Sequence, residues 1–289
     1  MKIIIFRKKV LFLIVWGLFL LAVGRQFPGW IRPALSAPEK GGRLAIVIDD
    51  LGGYAAGVNA MMDLPFPLTF AILPYEEFAR QQAEEAAARG FEVIIHMPFE
   101  AYRADSSWYG KKYISGDLSD AAIRQLIDEA FRILPMASGL SNHMGSKATE
   151  DPRVMRVVLQ EILRRNRYFF DSKTAYDSPI AGLTAALGLP SLGRSLFLDD
   201  LNSPDWIRGQ LGKLVDLAGR RGYAIGIGHV GPTGPTLARI LREEVARYQR
   251  QGVQFLQLSD MIRLNPVLKP PPAELPAPDS LPRNPSEFK

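Results

Sequence analysis

The chain of 289 residues contains no cysteine. That absence excludes a thiolate nucleophile, cysteine-ligated zinc and an iron–sulfur cluster, and leaves histidine, carboxylate and backbone oxygen as the available metal ligands. Histidine is itself scarce, with three in the whole chain. No Gly-x-Ser-x-Gly segment occurs, so the strained turn that presents a serine nucleophile is unsupported. Lys and Arg nowhere cluster with interleaved aromatics, and no nucleic-acid partner is expected. The net charge of +5 does not argue otherwise: the first 43 residues hold eight Lys and Arg against one acid, so the remaining chain is slightly acidic.

Long apolar runs are scarce too. One, Val10 to Val23, is uncharged and follows Lys2, Arg7, Lys8 and Lys9, the layout of a secretory signal. Its 14 residues fall short of the ~20 of a spanning helix, although Ile3 to Phe6 and Trp16 leave an uncleaved anchor open. Residues 1–24 are therefore read as a signal peptide, with Ala22-Val23-Gly24 as a cleavage site, or as an N-terminal anchor in the inner membrane. Under either reading the basic residues stay in the cytoplasm and the domain is extracytoplasmic, periplasmic or secreted. Residues 25–42, with Pro28, Pro33, Pro38 and Gly41-Gly42, read as a linker. Residues 266–289 hold eight prolines and read as a disordered or polyproline-like tail. One domain, residues 43–265, remains.

Within it, short apolar runs alternate with helical stretches. The runs Leu44–Ile48, Leu68–Leu73, Glu92–Ile95, Gly139–Asn142, Tyr168–Phe170, Ser195–Leu198, Tyr223–Ile227 and Val253–Leu258 do not alternate in polarity, which predicts parallel strands buried on both faces. Helical patterns fall between them, with a start at Ser119 and glycine stops at Gly90, Gly222 and Gly252. Seven to eight such units in one domain predict an α/β fold, a distorted (β/α) barrel of seven to eight parallel strands, with an open doubly wound sheet as the alternative.

In such folds the C-terminal strand ends converge on one ligand-binding face. All three histidines, His96, His143 and His229, directly follow apolar runs, and another run ends in Asp49-Asp50-Leu51-Gly52-Gly53. Imidazoles and carboxylates on one face predict a metal-centred site. Consecutive residues of an extended segment point opposite ways, so one of Asp49 and Asp50 reaches into the mouth and the other addresses its rim; turn or cap use is the competing reading. His96 is followed by Glu100 across Pro98, a metal-ligand spacing only if the segment turns back. Asp171 ends another run, where it could orient a histidine or bind metal, while Lys173 could meet an oxyanion or pair with Asp171. Gly226 to Gly231 fits Gly-x-Gly-x-x-Gly, but Pro232 and Pro235 interrupt the helix start that a dinucleotide would need. The glycines are read as letting the backbone crowd the mouth around His229.

Together these segments resemble the divergent polysaccharide deacetylase family, a distant branch of the NodB-type carbohydrate esterases. The resemblance is carried by Ala45 to Gly52, Ile95 to Glu100, Asn142 to Ser146, Phe170 to Thr174, Phe197 to Asp200 and Ile227 to His229, in family order across the core. It implies a divalent metal, zinc above all. It further implies Asp49 as base, Asp50 as metal ligand, His96 as the first histidine ligand and His229 as the acid that protonates the leaving amine. The family's second histidine is replaced by Glu100, so His143 or Glu100 completes the metal site, and His143 suits zinc better. The expected function is metal-dependent removal of acetyl groups from an envelope or extracellular polysaccharide. The alternative is a non-catalytic envelope protein that binds a glycan or a protein partner through a degenerate barrel.

Overall fold

The computed structural model describes residues 41–103, 109–110, 112–265 and Leu268. The expected signal or anchor, most of the linker and, Leu268 apart, the proline-rich tail lie outside these residues. Among the described residues no helix is long and apolar enough to cross a membrane.

The strands are β1 (Arg43–Leu51), β2 (Thr69–Ile72), β3 (Glu92–Phe99), β4 (Gly139–Met144), β5 (Tyr168–Asp171), β6 (Ser191–Gly193), β7 (Leu196–Phe197), β8 (Tyr223–His229) and β9 (Gln254–Leu256). Eight of them form one path, β6-β5-β4-β3-β2-β1-β8-β7, and every pairing is parallel. The ends of the path, β6 and β7, are not paired, so the sheet is a curled half-barrel rather than a closed one. β9 pairs with Arg43 to Ala45 at the start of β1.

Side-chain alternation sorts the strands into two faces. Leu44, Ile46 and Ile48 of β1 pack outward with Val93 and Ile95 and with residues of the helices. Ala45, Val47, Ala71, Ile94, Phe170, Leu192, Ile225 and Ile227 form a separate cluster. Residues of non-adjacent strands meet there because the sheet curls around them. Each fully buried apolar side chain contributes about 1.5–3 kcal/mol.

The helices are α1 (Val58–Met62), α2 (Ala79–Ala88), α3 (Asp120–Ile133), α4 (Pro152–Arg164), α5 (Ile180–Leu187), α6 (Pro204–Arg221), α7 (Gly234–Arg250) and α8 (Leu258–Leu264). Local chemistry starts several of them. Ser119 Oγ accepts from Ala122 N–H at α3, and Asp151 accepts from Arg153 and Val154 N–H ahead of Pro152 at α4. α8 replaces the end of the expected last strand. Its Leu258, Met261 and Ile262, joined by Leu268, pack into the inner cluster and close the N-terminal end of the half-barrel. Glu92 secures that plug: its carboxylate accepts from Thr69 Oγ1 at 2.8 Å, from Ser138 Oγ at 2.7 Å and from Ser259 N–H at 3.2 Å. The C-terminal ends of the strands are left as the open mouth.

Two further sequence expectations change. β3 does not stop at Ile95 but runs through His96 and Pro98 to Phe99. β2 ends at Ile72 opposite Ile95, and beyond it the bridge to Ile114 uses only the Glu100 N–H and the Pro98 carbonyl, so the missing Pro98 N–H costs nothing. Gly226 and Gly228 serve the outside of β8 rather than the mouth. A Cβ on them would lie 2.6 Å from Leu214 Cδ2 of α6 and 2.2 Å from Leu237 Cδ2 of α7.

Candidate metal centre and proton-transfer pair

The alternation that turns Ala45 and Val47 inward does the same for Asp49, and Ile94 is followed two residues later by His96. Ile225 and Ile227 lead in the same way to His229, whose Cα pairs with that of Asp49. His96 pairs with Ser141 on β4, and two residues further along that strand is His143. All four side chains line one hollow of about 330 Å³ at the mouth. A larger hollow of about 550 Å³ lies around Tyr54 and Phe78, but it holds one carboxylate, Glu85, and no histidine, so chemistry and not size marks the site.

Asp50 joins the group through a departure from regular strand geometry. Its φ is 69°, and the β1–β2 register shifts between Ile48 and Leu51. This bulge turns its carboxylate back towards its neighbour's side, so Asp49 Oδ2 and Asp50 Oδ1 both lie 3.5 Å from His96 Nε2. The expectation that the two carboxylates diverge is corrected accordingly: Asp49 is buried, Asp50 is half-buried nearer the rim, and they converge on one imidazole.

Asp50 Oδ1, His96 Nε2 and His143 Nδ1 form a triangle with sides of 3.5, 3.2 and 3.0 Å. Four ligands at zinc's usual ~2.0–2.1 Å would stand about 3.3 Å apart along a tetrahedron's edge, so the three atoms are spaced like one of its faces. The donor chemistry agrees. Ser141 Oγ lies 2.8 Å from His96 Nδ1 and donates to the Ile95 carbonyl at 3.4 Å; in the tautomer with the proton on Nδ1, donated to Ser141, Nε2 presents its lone pair to the triangle. Among the described residues these three are the cluster able to hold a metal ion. Glu100 does not join them: its carboxylate takes Lys147 Nζ at 2.6 Å and Gly116 N–H at 3.2 Å. The residues present therefore fit a divalent ion, and the cluster that could hold it includes His143 and not Glu100.

The adjacent carboxylates differ electrostatically. Burial pushes the Asp49 carboxyl above its ordinary range, only partly offset by His96, His229 and His143. Burial also acts on Asp50, but His143 and His96 outweigh it and hold that carboxyl well below the usual range. Asp49 Oδ1 is buried without a hydrogen-bond partner among the described residues.

His229 is held by Asp199, which the sequence placed in the Phe197 to Asp200 segment without assigning it a role. Its Nδ1 donates to Asp199 Oδ1 at 2.9 Å, while Asp199 Oδ2 accepts from the His229 backbone N–H at 2.9 Å and from Thr233 Oγ1 at 2.6 Å. Burial disfavours the charged ring, but the bond to Asp199 and the charges of Asp49, Asp199 and Asp50 prevail and raise its pKa to about 9. Asp171 is not brought to this group. It follows the inward Phe170 by one residue, lines a separate hollow with Lys173 and Arg194, and accepts from the Lys173 backbone N–H at 2.7 Å. Burial raises its carboxyl as well. The relation to a histidine considered for Asp171 is the one Asp199 has. Alternation could have found it, since Phe197 pairs with Ile227 and two steps on bring Asp199 beside His229.

A parallel half-barrel whose mouth presents an Asp/His/His cluster beside a buried carboxylate and a His–Asp pair belongs to the class of NodB-like (β/α) barrels. Within that class, the chain belongs to the divergent polysaccharide deacetylase family, whose sequence profile matches residues 46–262. It is 33% identical over 252 residues to the uncharacterized protein YibQ of Escherichia coli K12, across 87% of this chain and 77% of that one. It is 31% identical over 244 residues to an uncharacterized protein of Haemophilus influenzae, across 83% and 85% of the two chains. The crystal structure of the uncharacterized protein ATU2773 from Agrobacterium tumefaciens C58 superposes with a TM-score of 0.66 at 22% identity, covering 77% of this chain and 89% of that one, a likeness of fold.

Proposed function

We propose that the protein is a metal-dependent hydrolase that removes acetyl groups from an envelope or extracellular polysaccharide, working outside the cytoplasm behind a cleaved signal or an inner-membrane anchor. The observation that carries this reading is the triangle of Asp50, His96 and His143 ligand atoms, with Asp49 and His229 in the same hollow. Those three residues would hold a divalent ion, zinc by the nature of its donors, which when bound would supply polarisation of an acyl carbonyl and a water whose pKa is lowered towards about 7. Asp49, with one oxygen free of partners, takes the proton of the attacking water. His229 has committed Nδ1 to Asp199, so its other ring nitrogen delivers a proton to the nitrogen of the leaving amine. Water thereby supplies the hydroxyl of the acetic acid released, the sugar departs as a neutral amine carrying the proton from His229, and the water's proton on Asp49 goes on to recharge His229. Asp199 keeps the imidazole charged and oriented without touching substrate.

The test is metal content and acetate release from N-acetylated oligosaccharides. Wild-type protein is expected to hold one zinc per chain and to turn over. His143→Ala is expected to lose both, whereas Glu100→Ala keeps its metal. Stoichiometric zinc in His143→Ala would overturn the ligand assignment, and a zinc-replete wild type that releases no acetate from any N-acetylated glycan would overturn the hydrolase.

A further inference from the structure

Ser172 lines the mouth and is used neither by the metal ligands nor by the proton-transfer groups. Tyr168 and Phe170 of β5 face the interior, so two residues on Ser172 has the inward parity that Asp171 lacks. Ser141 pairs with Phe170, which brings Ser172 level with His143 on the neighbouring strand. The residue is 2% exposed, and its Oγ has no hydrogen-bond partner among the described residues. An unpartnered buried hydroxyl is costly and uncommon in a native fold.

The backbone that presents it is braced on every side. Asn142 Oδ1 accepts the Ser172 N–H at 3.0 Å, and Asp171 Oδ1 accepts the Lys173 N–H at 2.7 Å. Arg194 donates from Nε to the Ser172 carbonyl at 2.8 Å and from Nη2 to the Lys173 carbonyl at 3.0 Å. Lys173 itself is held at φ 52°, a left-handed conformation that a lysine keeps only where its surroundings enforce it. Four hydrogen bonds and a strained residue thus fix a turn whose inward offering is one free hydroxyl. A donor fixed in advance and left unpaired in the resting protein can stabilise charge that appears only during a reaction.

We propose that the Ser172 hydroxyl is a substrate-contacting donor that hydrogen-bonds the carbonyl oxygen of the acyl group as negative charge builds on it. The assignment rests on the hydrolase reading above. His229 and Asp49 belong to paired strands β8 and β1, while Ser172 stands beside His143 on the β4–β5 side. The leaving nitrogen faces the first wall and the acyl oxygen the second. When water adds to the carbonyl carbon, the C=O electron pair moves onto oxygen and strengthens the bond from Ser172. When the C–N bond breaks and the carbonyl re-forms, that bond weakens again, and Ser172 keeps its proton throughout.

Ser172→Ala and Ser172→Cys, made in the zinc-loaded full chain, test the proposal. For the alanine variant kcat is expected to fall about 100-fold with KM for an N-acetylated oligosaccharide unchanged, and cysteine, with a larger atom and a weaker donor, should fall between. Zinc content should match wild type and Tm should be unchanged or raised in Ser172→Ala, because no protein hydrogen bond is lost and an unpaired buried hydroxyl is removed; a structural role would instead lower Tm and spare kcat. A kcat within threefold of wild type, or an alanine variant that melts well below it, overturns the proposal. A second measurement stands apart from turnover: acetate titrated into the zinc-loaded proteins should bind Ser172→Ala about tenfold more weakly. Equal binding to both, or no binding to wild type, also overturns it. Serine-dependent acetate binding without glycan turnover would reject the hydrolase reading and keep the assignment of Ser172 as the donor to an acyl oxygen.

Discussion

Asp199→Asn separates the proposed proton-donor role of His229 from its mere presence in the mouth. In the native site Asp199 Oδ1 takes the ring Nδ1–H, while Oδ2 takes the His229 backbone N–H and the Thr233 hydroxyl. Asparagine offers one oxygen and one amide group. With the oxygen kept on the ring, the amide faces the backbone N–H; the Thr233 hydroxyl can rotate to accept, but the N–H cannot, and that clash costs about 1–3 kcal/mol of stability. The larger effect is electrical. The ring loses its charge-assisted bond and one of three nearby carboxylates, so its pKa falls from about 9 towards the ordinary 6.5. Because the folded value is raised, the stabilisation is fully present below about 6.5 and lost as pH rises through about 9, a slope that Asp199→Asn should remove. At pH 8 a ring of pKa about 9 is about nine-tenths protonated, and one near 6.5 about one-thirtieth. Turnover limited by a protonated donor should therefore fall about 30-fold at pH 8 and little at pH 6. The assay is histidine side-chain NMR titration of metal-free protein, alongside the pH–rate profile with metal. A wild-type His229 midpoint below 7, or one moved by less than about half a pH unit in Asp199→Asn, would refute the reasoning.

Three further outcomes can be checked by calorimetry. Zinc that binds the folded Asp50–His96–His143 cluster and not the unfolded chain should raise Tm, by about 2.7 kcal/mol of added stability at 100 times its Kd, and EDTA should reverse the gain; a Tm blind to zinc would contradict the cluster. Gly228→Ala places a methyl 2.2 Å from Leu237 Cδ2 in a buried contact and should cost about 1–3 kcal/mol, leaving metal content intact. Glu92→Ala removes the acceptor shared by Thr69, Ser138 and the start of α8, and should cost about 2–4 kcal/mol with the mouth residues unaffected; a neutral result would mean that α8 does not depend on that carboxylate.

Most of the fold was legible because apolar periodicity and helix signals agree locally. The strands Tyr168–Asp171 and Tyr223–His229 fall where their apolar runs predict, and Ser119 and the Asp151-Pro152 pair start their helices by side-chain capping. What escaped was decided by partners distant in sequence. Ser191–Gly193 pairs as a strand against Phe169 to Asp171 although its three residues carry no periodic signal. Val253 to Leu258 looks like one strand, yet Thr69 and Glu92 accept from the N–H groups of Leu258 and Ser259 and turn its end into α8. Pro98 suggested a loop, and only the early end of β2 makes a proline acceptable at that point in β3.

The residue types of the site were legible, and its geometry was legible only in part. Alternation along a strand is a rule of period two, and it continues past the residues that pair. Counted from the interior Val47, Ile94, Phe170 and Ile227 it gives Asp49, His96, Ser172 and His229, and counted from Phe197 it gives Asp199. It passes over Asp171, whose acidity drew the sequence reading although its parity is outward. Ser172 was passed over in turn because a hydroxyl carries no charge and titrates in no accessible range. Asp50 is the one site residue that the rule assigns to the wrong face. Its left-handed φ of 69° is the conformation that aspartate, with a short polar side chain, tolerates better than most residues, and the glycine at position 52 with φ 116° lets the chain resume its course. A strictly extended Asp49-Asp50 would set one carboxylate on each face of the sheet. The bulge puts both on His96, where burial and the imidazoles drive their proton affinities in opposite directions, the difference on which the proposed division into one ligand and one base rests.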